Sequence, residues 1–131
     1  LIELRLKLQK HFSQYLSITP DIAITSTENQ FLTQLKKVLD THITDPDFNS
    51  EFFCRQMGMS RTQLHRKLTA IVGMPTTEFI RSQRLKLAIQ LLLNTDASVS
   101  EVAYQVGFST PSYFNRCFKE YFGKTPSAFK S

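Results

Sequence analysis

The chain has 131 residues, 41% of them hydrophobic and 21% charged, with 4 Gly and 5 Pro, which is room for one compact domain or two very small ones and too little for a barrel enzyme. No run of 18 apolar residues occurs and the Gly and Pro content is ordinary, so membrane-spanning-helix, collagen-like and wholly disordered chains are excluded. Sixteen Lys+Arg against eleven Asp+Glu give a net charge of +5; charges up to Glu28 cancel, so the surplus belongs to residues 29–131 and fits a polyanion partner without requiring one.

Leu1, Leu4, Leu8 and Tyr15 fall at heptad spacing with Leu6, Phe12 and Leu16 beside them, so residues 1–16 read as an amphipathic helix. It is either a surface helix of this domain or the end of a coiled-coil connector that pairs with a second subunit. With no initiator Met and no signal-peptide core, the chain reads as a piece of something longer. Ser17 to Asn29, with its Thr19-Pro20-Asp21 turn signal, is the linker candidate. Residues 1–28 are therefore set apart from a domain over 29–131.

From there the pattern is helix after helix. Phe31, Leu32, Leu35, Val38, Leu39 and Ile43 keep helical spacing until Asp45-Pro46-Asp47. Asn49 can cap a helix through Met57, and Ser60 another to about Ile71, closed by Gly73 and Pro75. Residues 76–93 carry the longest unbroken pattern, about 27 Å if helical. Ser98-x-x-Glu101 has capping-box form and opens a short helix ending at Val106-Gly107. Thr110 followed by Pro111 starts a helix to Phe122, and a last turn begins at Pro126. No convincing strand appears, so the predicted class is all-α. Cys54 and Cys117 are 63 positions apart without metal-ligand spacing, which predicts a reducing, cytoplasmic setting, two inward-packed thiols and no metal or cofactor.

The chain also repeats itself at an offset of 49 to 50. Cys54 falls on Ala103, Gly58 on Gly107, Leu64 on Phe114, Arg66 on Arg116, Leu68 on Phe118, Gly73 on Gly123 and Phe79 on Phe129. Small residue, glycine, apolar, apolar is what a helix-turn-helix needs: close helix crossing, a positive φ in the turn, and a pinned second helix. Two copies in step predict helix-turn-helix units over about 49–73 and 98–123, joined by a rigid helix over about 76–93. Such a pair can enter successive major grooves, because one turn of DNA is roughly 34 Å.

The string SEVAYQVGFSTPSYFNRCFKEYFGKTPSAFK, residues 100–130, resembles the signature of the AraC/XylS family of bacterial transcription regulators, and residues 58–92 match it more loosely. Residues 1–28 resemble the connector upstream of such domains in hybrid two-component regulators. The resemblance implies sequence-specific binding of double-stranded promoter DNA, usually as a homodimer, and activation through RNA polymerase. By position it implies base-facing roles for Thr62, His65 and Arg66 in the first recognition helix and for Ser112, Asn115 and Arg116 in the second. Thr62 and Ser112 are smaller than family members often carry, which leaves room for water-mediated contacts, and Cys54 replaces a usual alanine.

Arg66 and Arg116 can each donate a bidentate pair to a guanine edge, with a phosphate contact or an internal ion pair as the alternative. Arg61, Lys67, Lys119 and Lys124 are the candidate phosphate clamps, or else simply solvated charges. Phe114, Phe118 and Phe122 repeat every four residues, a core stripe rather than a stacking platform. No GxSxG, HExxH or P-loop is present, so no enzyme is predicted. A helical protein-interaction module with a basic face and an RNA-binding domain remain the competing classes.

Overall fold

The computed structural model describes residues 26–130; the expected helix over residues 1–16 lies outside them. The described residues form seven α-helices: α1 (Ser26–His42), α2 (Ser50–Met57), α3 (Arg61–Val72), α4 (Thr76–Asn94), α5 (Val99–Gln105), α6 (Pro111–Phe122) and α7 (Pro126–Lys130). This is the all-α architecture of two helix-turn-helix units on a central helix. One boundary differs from expectation: α1 begins at Ser26, inside the stretch read as linker. Its first turn, Ser-Thr-Glu-Asn, has no apolar residue, so periodicity cannot register it.

Capping chemistry accounts for four of the other six starts, while α4 follows Pro75 with no side-chain cap. The Asn49 side chain accepts the Phe52 N–H at 2.9 Å. Ser60 and Gln63 make a reciprocal capping box, as do Ser98 and Glu101. Thr110 accepts from Tyr113, with Pro111 at the first helical position. Each cap satisfies backbone donors that a helix start leaves without partners.

Two cores divide the molecule. The first gathers Phe31, Leu35, Phe53, Leu64, Leu68, Phe79 and Ile80; the second gathers Leu85, Ala88, Leu92, Ala103, Phe114, Phe118 and Phe129. Helix α4 serves both, with its N-terminal apolar residues in one core and its C-terminal ones in the other. It is therefore the spine that fixes the spacing of the two units. The repeat is visible in packing: Leu64 and Phe114 are both fully buried, as are Leu68 and Phe118. It is visible in hydrogen bonding too. Met59 N–H reaches the Cys54 carbonyl and Phe108 N–H the Ala103 carbonyl, both at 3.0 Å. Both cysteines are buried, and Phe122 lies at the core edge, its ring 4.7 Å from that of Phe118.

The join between units rests on Arg84. Its guanidinium donates to the carbonyls of Ile43 at 3.0 Å, Asp45 at 2.7 Å and Phe48 at 3.0 Å. All three carbonyls belong to the loop between α1 and α2, so Arg84 ties the spine to that loop. Burial pulls its pKa down while Asp45 pulls it up. The turn of the second unit closes on the bond from Arg84 to Ile43: a Cβ on Gly107 would sit 2.9 Å from Arg84 Nε and 3.2 Å from the Ile43 carbonyl oxygen. Only a residue without a side chain lets the second turn close on the arginine.

Candidate nucleic-acid interface

Helices α3 and α6 are the second helices of their units, and each buries one stripe while presenting the other. In α3 the buried residues are Leu64 and Leu68, which leaves Arg61, Thr62, His65, Arg66 and Lys67 exposed. In α6 they are Phe114, Cys117 and Phe118, which leaves Ser112, Asn115, Arg116 and Lys119 exposed. Lys124 follows α6 and is exposed as well. All ten residues singled out in the sequence are thus at the surface, as 3.6-residue periodicity dictates once the apolar stripe is assigned.

The two helices open on shared ground. A cleft of about 350 Å³ is bordered by Arg61 at the start of α3, by Ser109 and Tyr113 at the start of α6, and by Arg81 and Arg84 from the spine. Three arginines line it against one carboxylate, Glu51, so its walls are cationic. A second recess on the flank of α3 is lined by Thr62 and His65 together with Pro75, Thr76 and Thr77. There the Ser50 and Thr77 hydroxyls lie 2.9 Å apart and join the starts of α2 and α4.

The predicted clamps are not equivalent. Lys67 places its ammonium 5.3 Å from the centre of the Phe31 ring, a cation–π contact on the α1 side of its helix. Lys119 lies in the last turn of α6, and Lys124 follows the end of that helix. Arg116 sets its guanidinium 5.1 Å from the ring centroid of Tyr113, one turn earlier on the same face. The Tyr113 hydroxyl accepts from Arg81 Nη1 at 2.9 Å, and that hydrogen bond raises the pKa of Arg81.

Sequence reasoning passed over Arg81 and Arg84. Each acts through partners more than thirty positions away, and neither breaks the helical pattern of α4, so no local signal marks them. His42, assigned no role, packs its ring 4.9 Å from Phe52 and 6.0 Å from Phe48. The spacing of aromatics on two separate helices could not reveal that.

Residues 53–131 match the helix-turn-helix domain family. The C-terminal domain of the two-component response regulator yesN from Fusobacterium nucleatum superposes with a TM-score of 0.68 at 27% identity, covering 74% of this chain and 94% of that one. The chain belongs to the AraC family of helix-turn-helix transcription regulators. The AraC-type domain is also similar to the DNA-binding domain of AdpA in complex with a target DNA, with a TM-score of 0.69, 27% identity and coverage of 76% and 88%. In sequence it is 36% identical over 132 residues, all of this chain, to "Histidine kinase P4" of Formosa agariphila. It spans 10% of that kinase and 28–37% of several curated regulators it matches. The family is one of DNA-binding regulators rather than enzymes. Among the described residues no helix is long and apolar enough to cross a membrane.

Proposed function

We propose that the AraC-type domain reads promoter DNA by placing α3 and α6 in successive major grooves on one face of the duplex. The observation that carries this reading is the shared cleft, since the starts of both helices border it. The spine supports the spacing: its 19 residues run about 28 Å against roughly 34 Å for one turn of DNA. Base contact falls to Thr62, His65 and Arg66 in one groove and to Ser112, Asn115 and Arg116 in the next. Arg61, Lys67, Lys119 and Lys124 hold phosphates, with Lys67 having to leave the Phe31 ring to do so.

The likeness to a small part of a histidine kinase and to a response-regulator domain supports a place at the output end of a two-component system in the cytoplasm. Residues 1–28 then supply the connector from an upstream signalling domain, with the helix expected over residues 1–16 as the dimerisation element of the whole protein. Contact with RNA polymerase belongs to the same reading.

Genomic fragments selected by the purified domain are expected to converge on two short blocks about one helical turn apart. Affinity should fall with salt, and Lys124→Ala should lower the log–log salt slope by about 0.9. Failure to converge, or equal binding to double-stranded RNA, would return the domain to the interaction-module or RNA-binding class.

A further inference from the structure

The two units are alike in fold but not in how they hold their arginines. In the second, Arg116 lies over the Tyr113 ring, with Cζ 5.1 Å from the centroid. The ring leans on Phe108 at 5.8 Å, and its hydroxyl is tied to Arg81 of the spine at 2.9 Å. Tyr113 is therefore fixed at both ends, by an aromatic of the turn and by a cation from α4. In the first unit the repeat puts Gln63 where Tyr113 stands, and its side-chain oxygen is taken by the Ser60 N–H at 3.0 Å. Arg66 makes no comparable ring contact among the described residues.

We propose that Tyr113, braced by Arg81 and Phe108, is a positioning residue that pre-orients Arg116 for base reading in the second groove. The inference rests on the base-contact role given to Arg116 above. An arginine on the surface keeps many rotamers open. Ordering it before DNA arrives removes part of the cost of fixing one from the recognition step, and it restricts the guanidinium to one approach to the base edge. Because the brace runs to the spine, the direction of that approach is referred to α4 and not to α6 alone.

The test is a double-mutant cycle on the intact chain, read as the preference among the four bases at each position of the selected site. Arg116→Ala is expected to lower the preference at one position by about 5- to 150-fold. Tyr113→Leu should lower the preference at that same position by about 2- to 5-fold, and Arg81→Met should move it in the same direction. Both effects should vanish in the Arg116→Ala background. Tyr113→Phe, which keeps the ring on Phe108, should retain more of the preference than Tyr113→Leu, and circular dichroism should show all variants equally helical.

If Arg116→Ala leaves every position unchanged, the base-contact reading fails and the inference with it. If Arg116→Ala acts but Tyr113→Leu and Arg81→Met do not, the positioning role alone is overturned. It is equally overturned if their effects persist without Arg116, or if they weaken all sequences uniformly with no change in preference, as a phosphate contact or a displaced helix would.

Discussion

Gly58 and Gly107 hold the same place in the two turns, at φ +66° and +97°, and differ in what surrounds them. Nothing lies within 4 Å of a Cβ built on Gly58, whereas one on Gly107 meets Arg84 and the Ile43 carbonyl. Gly58→Ala therefore meets only the left-handed backbone penalty, about 1–2 kcal/mol. Gly107→Ala adds overpacking against the arginine that joins the units, for a total of about 2–5 kcal/mol. Denaturant unfolding of the two variants should separate them by 1 kcal/mol or more on this estimate; equal losses would show that the Gly107–Arg84 approach contributes nothing. At this scale the sequence disclosed that both turns need glycine, because a tight turn is a local requirement. The different company of the two glycines depends on residues of α4 and the α1–α2 loop, so it was hidden.

At the scale of the element, the four capped helix starts are local chemistry and were legible. Helix α5 has seven residues, too short to hold without help from its ends and its packing. Ser98→Ala removes one half of its capping box and should cost about 1 kcal/mol, measured by thermal unfolding, with the base preference of α3 untouched. The other half is sensitive to pH. The Ser98 N–H, and after it the Ser98 hydroxyl, hold the Glu101 carboxyl below its ordinary pKa. Its contribution is present above the unfolded-state value and is lost as pH falls through the lower folded one. The start of α1 was not legible, since a polar first turn held by an apolar remainder looks like loop. Helix α4 illustrates a different limit. Its length followed from the unbroken pattern, but its apolar residues serve two cores on different sides, so periodicity could not say which unit each one joins.

At the scale of the whole molecule, burial sets a pH dependence that no segment shows alone. Lys86 sits in the middle of the spine at 6% exposure, and desolvation lowers its pKa from 10.5 to about 8. Between those two values the unfolded chain binds more protons at this site than the folded one, so stability rises with pH across the window. Below pH 8 both states are charged and this residue adds no slope. Chemical denaturation at pH 7.5 and pH 10 should show a contribution on the order of 1–3 kcal/mol that is absent from Lys86→Met. A slope unchanged by that substitution would place the titration elsewhere.

The sequence alone determined the helical class, six of the seven helix starts among the described residues, the duplicated unit and the exposure of ten residues on α3, on α6 and just after α6. Those features follow from spacing along the chain: caps act within three residues, and the apolar stripe of a helix repeats every three or four. The tertiary structure decided how the units are joined and aimed. Arg84 finding three carbonyls 36 to 41 positions away, Arg81 meeting Tyr113, and the cationic cleft bordered by the starts of α3 and α6 all arise from contacts across the fold. A sequence pattern records which face of a helix is apolar, but not which distant backbone will come to rest against it.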